Sequence, residues 1–317
     1  MMPRSAMRRG GMIALLVLFA LAIPSQTARA TMPGVPGRLA FGSDRTGLLQ
    51  LYSMRPDGSD VRQLTNAEAH NYAPDWSPDG STMAFGRSSG QDLNFIGNWD
   101  VWVMDAAGSG ERQLTRTRGF DGVPGFGPTA SEIAFTSNRD GQWDIWRMQA
   151  DGTGQRKVVH APTFDWDPQY SPDGERIAFT GIRRDGTSAL FLVRPDGSGL
   201  HRLTPWSLGA GHADWAPDGS VILFNSLDDV PGPSQLYTIR PDGTGLRRLT
   251  FDTSITFYDA SFSPDGRRIT CELRRRLGPD ERLDLDVAVM NADGGGLRVL
   301  THLPSFDVTP DWGAGHG

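Results

Sequence analysis

Short apolar runs alternate with polar turn strings along this chain, and the same order of runs and turns returns every 44 to 51 residues. The third residue of an Ile-Ala-Phe-like run falls at Phe41, Phe85, Phe135, Phe179, Phe224 and Cys271. A Tyr-x-Met-like run follows at residues 52–54, 102–104, 146–148, 191–193, 237–239 and 288–290, and a Leu-Thr-like pair ends each unit, as at Leu64-Thr65 and Leu300-Thr301. Between the runs stand turn strings such as Ser77-Pro78-Asp79-Gly80 and Arg194-Pro195-Asp196-Gly197. Pro at the second turn position and Gly at the fourth suit type I turns, and Pro there lies outside any strand ladder. Each unit therefore predicts four short strands, a to d. Five units are continuous; the sixth is split, with Pro310-Asp311-Trp312 at the C-terminus and Leu39-Ala40-Phe41 near the N-terminus.

A four-stranded sheet that is apolar on both faces cannot bury them alone, so such sheets stack around an axis, and closing the ring protects the edges. The expected fold is all-β: a six-bladed β-propeller of four-stranded antiparallel blades, closed by pairing of the C-terminal strand with the N-terminal blade. The string Pro74-Asp75-Trp76-Ser77-Pro78-Asp79-Gly80, repeated with Ile-Ala-Phe and Asp-Gly after it, resembles the WD40-like (PD40) repeat of the TolB-type six-bladed β-propeller. The resemblance covers residues 31–317 and implies the fold, while the propeller itself is a scaffold for unrelated roles. Members of that family also carry an α/β domain ahead of the propeller, and the expectation is that this chain lacks it.

Residues 1–30 read as an export signal: Arg4, Arg8 and Arg9, an apolar stretch at 12–23, then Ala28-Arg29-Ala30 as a cleavage site. The apolar stretch is too short to span a bilayer, so the expected product is periplasmic or secreted, with no membrane span, and monomeric. Without residues 1–30 the chain has 27 basic and 37 acidic residues, a net charge of −10, which argues against a nucleic-acid partner. Arg274-Arg275-Arg276 is read as part of a loop, paired with Asp280, Glu281, Asp284 and Asp286. The single Cys271 stands at a Phe-like position and reads as core.

The a-to-b and c-to-d turns are constant in length, so the face that carries them reads as structural. The b-to-c connections vary in length and the d-to-a connections vary in composition, which makes the opposite face the candidate for binding. There, five positions before the Trp-like residue, stand Asn71, Asp121, Asp165, Ala210, Phe257 and Asp307. As equivalent positions in a ring, their oxygens are expected to converge on the channel mouth, where they would hold a divalent cation or receive a partner's Lys or Arg. The alternative is that they cap their own turns. Trp76, Trp215, Trp312, Trp102 and Trp146 occupy repeat positions and are expected in the core. Trp99, Trp143, Trp166 and Trp206 do not, and they fit either a partner surface or burial between blades.

Gly86-Arg87-Ser88-Ser89-Gly90 matches a nucleophile pattern, but it follows a strand and enters a hairpin, so it carries no catalytic meaning. His70 and His212 are placed at the channel mouth. Metal-using lyases with similar propellers keep histidines there, and this sets the alternative reading: a metal- or carbohydrate-dependent lyase using His70, His212 and the Asp ring. The leading reading is a non-enzymatic binding propeller for a protein or peptide partner in the cell envelope; a third is a part of a larger assembly with no small ligand. The candidate partner-binding residues are Asn71, Tyr72, Asp121, Asp165, Trp166, Asp167, His212, Tyr258, Asp259 and Asp307. No catalytic residue, metal ligand or cofactor is assigned.

Overall fold

The computed structural model describes residues 36–91, 97–226, 233–277, 282–302 and 304–315. The export-signal reading of residues 1–30, Asp280, Glu281 and His316 lie outside them. The chain opens with β1 (Pro36–Thr46), β2 (Leu48–Met54) and β3 (Arg62–Gln63). Blade two is β4 (Asn71–Trp76), β5 (Thr82–Ser88), β6 (Trp99–Asp105) and β7 (Arg112–Gln113); blade three is β8 (Asp121–Phe126), β9 (Glu132–Ser137), β10 (Asp144–Gln149) and β11 (Arg156–Lys157). Blade four is β12 (Phe164–Tyr170), β13 (Ile177–Ile182), β14 (Ser188–Val193) and β15 (His201–Arg202), followed by one turn of 3-10 helix, Trp206–Leu208. Blade five is β16 (Ala210–Trp215), β17 (Ile222–Ser226), β18 (Leu236–Ile239) and β19 (Arg247–Arg248); blade six is β20 (Thr256–Phe262), β21 (Arg268–Leu277), β22 (Arg282–Asn291) and β23 (Arg298–Val299). Finally β24 (Asp307–Ala314) pairs antiparallel with β1, Leu39 opposite Trp312, and completes blade one.

Every blade is thus a four-stranded antiparallel meander, and the split blade closes the ring as expected. Both faces of each sheet are apolar, so the core lies between blades. Phe41, Met54 and Trp312 of blade one are buried with Val287 and Val289 of blade six, while Ala40 and Leu51 are buried with Trp76, Met83 and Phe85 of blade two. The Leu-Thr ending supplies an acceptor for strand c. Its Thr hydroxyl takes the first free amide there, as Thr65 does from Leu51 (2.9 Å), Thr115 from Val101 (2.9 Å) and Thr301 from Val287 (3.0 Å). Cys271 is fully buried in the blade-six core. Trp76, Trp215 and Trp312 are buried. Trp102 and Trp146, on the third strand of their blades, are only partly buried, and each is covered by an arginine, Arg87 and Arg139, 4.5 Å from the ring centre.

The Asp of the Pro-Asp-Trp string explains how neighbouring blades are held in register. Asp75 Oδ2 accepts the Phe126 amide of the next blade (2.7 Å), Asp214 accepts that of Phe262 (2.7 Å), and Asp311 accepts that of Trp76 (2.8 Å). Asp311 also receives the Ser261 hydroxyl at 2.9 Å, so this one carboxyl ties blades six, one and two. Where Gly125 takes the same place, the adjoining strand comes so close that a Cβ would lie 2.4 Å from the Pro168 carbonyl oxygen.

Two expectations need correction. The residues assigned to d-to-a loops belong to longer inner strands, which begin five or six residues before the Trp-like position. Arg274-Arg275-Arg276 is strand, not loop: β21 runs on to Leu277, and Arg275 pairs with Asp284 (2.8 Å) and Asp286 on the facing strand.

The staple predicts a specific pattern of stability. Asp311→Ala leaves the buried Trp76 amide without an acceptor and should cost about 1–3 kcal/mol, whereas Asp311→Asn keeps an acceptor and should melt close to the parent. Equal melting temperatures for the Ala and parent proteins would show that the staple does not bear on stability.

Candidate functional site

Each inner strand carries a bulge, and at the bulge a non-glycine residue adopts a left-handed backbone: Ala73 (φ 50°), Val123 (49°), Asp167 (57°), His212 (53°), Asp259 (40°) and Thr309 (47°). For L-residues, and for β-branched Val and Thr above all, this conformation costs roughly 1–2 kcal/mol per residue. Six equivalent residues adopt it, which makes it a constraint of the ring. Three of their amides are held by the preceding blade: Asp167 N–H donates to Thr136 Oγ1 (3.1 Å), His212 N–H to Thr180 Oγ1 (3.1 Å) and Thr309 N–H to Glu272 Oε2 (3.3 Å).

The bulge decides which side chains reach the axis. Strands in a radial sheet point their side chains at the neighbouring blades, and the residues at the bulge line the channel. Asn71, Asp121, Asp165 and Asp307 precede the bulge, and all are 0 % exposed inside their own blades. Asp121 accepts from Arg139 Nη2 (2.9 Å), Ser137 Oγ (2.6 Å) and Thr117 Oγ1 (2.7 Å). Asp307 receives both oxygens' bonds from Arg45 Nη2 (3.0 and 3.1 Å), and Asn71 Oδ1 accepts from Arg87 Nε (2.7 Å). In blades one to three the arginine also lies over two rings of its own sheet, such as Phe41 and Tyr52 beneath Arg45. The expected convergence of these groups on the channel mouth is therefore overturned: ring equivalence holds, but each carboxylate is used within its blade.

Blade four departs from that pattern. The corresponding arginine, Arg183, instead stacks on Trp206 at 3.8 Å. Asp165 keeps only the Thr163 hydroxyl (2.6 Å), and its Oδ2 is buried with no hydrogen-bond partner. Burial pushes its carboxyl up to about 8.

On the axis lies a cavity of ≈ 80 Å³ lined by Tyr72, Trp166, Asp167, His212 and Asp259 among others. A second of ≈ 40 Å³ continues toward the turn face, and the two share Asp75, Asp214 and Asp311. His212, from blade five, bridges two neighbouring blades: its Nδ1 is 2.6 Å from Asp259 Oδ1 and 3.3 Å from Asp167 Oδ2. Burial opposes the imidazolium, but Asp259 and then Asp167 outweigh it and hold His212 charged well above the usual imidazole range. Asp259 is held below the carboxylate range, chiefly by His212 against the effect of burial. Behind it Glu272, 1 % exposed and bonded to Arg274 Nε (2.6 Å), is pushed up to about 7 by burial and by Asp259. Arg274 covers the Tyr258 ring at 3.8 Å, and Tyr258 meets His212 edge-on. Deeper in the channel, burial raises Asp75 and Asp311 and brings Asp214 to about 8.

Of the sequence candidates, the structure therefore brings together Tyr72, Trp166, Asp167, His212, Tyr258 and Asp259. Asp75, Asp214, Asp311, Glu272 and Arg274 were not singled out; the carboxylate in three of the six Pro-Asp-Trp-like strings was the available signal. His70 does not belong at the mouth. Its Nδ1 accepts the Leu49 amide (3.1 Å) and its Nε2 lies 2.7 Å from the Gln91 carbonyl oxygen, so it is a structural group between blades one and two. Ser88 likewise donates to the Gly90 carbonyl oxygen (2.6 Å) and accepts the His70 amide. Among the described residues no three His, Cys, Asp or Glu side chains are placed to hold a metal ion.

Three of the four tryptophans outside the repeat positions do assemble. Trp99, Phe120, Trp143, Phe164 and Trp166 form a run of rings with neighbouring centroids 4.6–6.0 Å apart, and Tyr72 joins it at 6.4 Å from Trp99. Trp99 and Phe120 are buried, whereas Trp143, Phe164 and Trp166 remain partly exposed beside the mouth.

The charges fix the sign of the pH dependence. His212, raised in the fold, contributes stability that is complete below its unfolded pKa and is lost as pH rises through its folded value. Asp165, raised from 3.8 to about 8, holds its proton more tightly when folded, so its contribution also falls as pH rises between those values. The melting temperature should therefore decline from about pH 5 to pH 9. Asp165→Asn should flatten that decline and raise the melting temperature at pH 9 by several degrees, at about 2–4 °C per kcal/mol; a parallel, unshifted profile would show that Asp165 is ionised without cost. In NMR, the His212 ring should show no titration midpoint near 6.5, and one found there would refute the ion-pair assignment.

The TolB beta propeller domain (PD40) profile matches residues 65–164 and 152–314. A "Protein TolB homolog" of Chlorobium luteolum is 35 % identical over 197 residues, covering 51 % of this chain and 45 % of that protein, so the chain spans about half the length of this curated relative. Among solved structures, TolB from Acinetobacter baumannii superposes with a TM-score of 0.73 at 20 % identity, over 87 % of this chain and 66 % of that one. Oligogalacturonate lyase in complex with manganese superposes with a TM-score of 0.55 at 17 % identity, over 82 % and 73 % of the two chains, a likeness of fold alone. Six four-stranded blades, their closure and these matches together show that the chain belongs to the TolB β-propeller domain family.

Proposed function

We propose that this protein is an exported, non-enzymatic binding propeller that holds a protein or peptide partner of the cell envelope at its acidic, aromatic channel face. The observation that carries the reading is the continuity of the partly exposed rings of Trp143, Phe164 and Trp166 with a rim that carries Asp167 and Asp259. Large half-exposed aromatics beside charge are the usual anchors of protein partners. The channel cavity, ≈ 80 Å³, is well below the roughly 300–1,000 Å³ of sites that enclose small molecules. Binding therefore falls to the mouth, with at most a single side chain entering. TolB relatives support the class of function, and residues 1–30, read as an export signal, support a periplasmic or secreted location. A divalent cation at the mouth is the alternative use of its carboxylates, to be read by calorimetry.

The lyase alternative required His70 and His212 to share the channel, and it loses His70 to the blade interface. Release of unsaturated sugars from oligogalacturonate would nevertheless restore it.

The binding face is tested by photo-crosslinking in the envelope from position 143 and, as control, from position 218 on the turn face. Crosslinks to a defined partner should form from 143 and not from 218, and Trp143→Ala with Trp166→Ala should weaken that partner's affinity by about tenfold or more. Crosslinks confined to position 218 would overturn the assignment of the face.

A further inference from the structure

In blade one, basic side chains from three separate segments meet on one carboxylate. Arg38 Nη1 lies 2.9 Å from Asp60 Oδ2, Arg62 Nε and Nη2 lie 3.0 and 2.8 Å from its two oxygens, and Arg55 Nε is 3.7 Å away. Asp60 sits in the c-to-d turn with a left-handed backbone, φ 56°. The cluster lies on the turn face, opposite the channel mouth.

The other blades supply the comparison, since the repeat aligns these positions residue by residue. The three places are filled by Thr82, Asp105 and Arg112 in blade two, and by Glu132, Gln149 and Arg156 in blade three. Blade five has Val221, Arg240 and Arg247, and blade six has Arg268, Asn291 and Arg298. Blade four alone repeats a set of three basic side chains, Arg176, Arg194 and His201. The place of Asp60 holds glycine in the other five blades, Gly110, Gly154, Gly199, Gly245 and Gly296, so blade four combines the basic set of blade one with no carboxylate at that place.

A cavity of ≈ 330 Å³ lies at this place, lined by Arg176, Leu192, Val193, Arg194, Gly199 and His201. No carboxylate lines it. Gly199 has φ 69°, close to the backbone of Asp60, and a Cβ built on it would lie 3.1 Å from Arg194 Nη1. An aspartate side chain placed here would thus point at the guanidinium, as the Asp60 side chain points at its own arginines. His201 Nδ1 donates to the Gly199 carbonyl oxygen at 2.9 Å and so braces the turn.

We propose that the blade-four cavity is a binding site for a carboxylate group supplied from outside the blade, held by Arg176 and Arg194 where blade one uses Asp60. Guanidinium groups recognise carboxylates through paired, charge-assisted hydrogen bonds. The ligand is a small free carboxylic acid or an acidic side chain of a peptide, the carboxylate being the group that the two guanidinium groups select. The volume lies at the lower end of the small-molecule range. This site is independent of the channel-face reading, being on the opposite face.

Blade one also provides the test. Calorimetry at low, fixed ionic strength would titrate the protein with succinate, with a blocked peptide containing one aspartate, and with inorganic phosphate. Saturable binding of succinate or of the peptide is expected, and the tighter of the two identifies the source of the carboxylate. Gly199→Asp should abolish binding by filling the site as Asp60 fills its own, with melting preserved because Asp60 already adopts this backbone. Arg194→Gln should weaken binding by about tenfold or more. Conversely, Asp60→Gly should create a second site of the same kind in blade one, a gain that loss of folding cannot mimic. The proposal is overturned if neither carboxylate probe saturates, if Gly199→Asp binds as the parent does, or if phosphate binds more tightly than both carboxylates.

Discussion

A sheet that is apolar on both faces is stable only while a neighbour covers each face, and in a ring every blade depends on that at once. Closure is therefore the constraint from which the rest follows. It is secured by β24 pairing with β1, by Trp312 buried between blades six and one, and by Asp311 bonded to Ser261 of blade six and to the Trp76 amide of blade two. Because six inner strands must converge on one axis, each bends at a bulge, and each bulge holds a non-glycine residue in a left-handed backbone. The strain is distributed equally, and the ring that imposes it also holds it. The channel lining is a product of closure: the bulge residues reach the axis, and the aspartates two positions on, Asp75, Asp214 and Asp311, line it deeper.

Closure also sorts the charges into two kinds. Between the blades, carboxylates need a cation or donors of their own, and Asp121 and Asp307 have them in Arg139 and Arg45, each braced on aromatic rings. Around the axis, Asp75, Asp167, Asp214, Asp259 and Asp311 face one another with His212 as the cation directly between two of them. Burial answers the repulsion by raising Asp75, Asp214 and Asp311 toward the neutral form, while His212 keeps Asp259 ionised. The charge at the mouth is thus concentrated in His212, Asp259 and Asp167, and the partly exposed surface beside them is aromatic.

The architecture was legible because turn strings and apolar runs repeat in phase, and the stray Pro310-Asp311-Trp312 fixed that phase. Asp167, His212 and Asp259 could be named for the same reason, since each stands three residues before its Trp-like position. Asn71, Asp121, Asp165 and Asp307 were misplaced because ring equivalence says nothing about direction: two residues along, across a bulge, the chain passes from inter-blade face to axis. The bulge itself left no mark, since Ala73, Val123 and Thr309 are residues that do not advertise a left-handed backbone. His70 was misread because its ring bonds, to Leu49 and Gln91, join segments about 21 residues away on either side.

A six-fold repeat carries its own controls, and departures from it are more informative than its consensus. Arg183 leaves Asp165 for Trp206, so one of four equivalent polar groups loses its cation. Glu272 stands where Thr136 and Thr180 hold the next blade's amide, and it brings a carboxyl that titrates near neutrality beside Asp259 and Arg274. Asp60 stands where the other five blades have glycine and satisfies three arginines, while in blade four, with the same basic set and Gly199, a cavity lies at that place. Closure does not require any of these changes, since other blades pack without them. They fall on the channel side and on the turn face alike, so the scaffold fixes where side chains point while leaving single positions in each blade free to acquire chemistry.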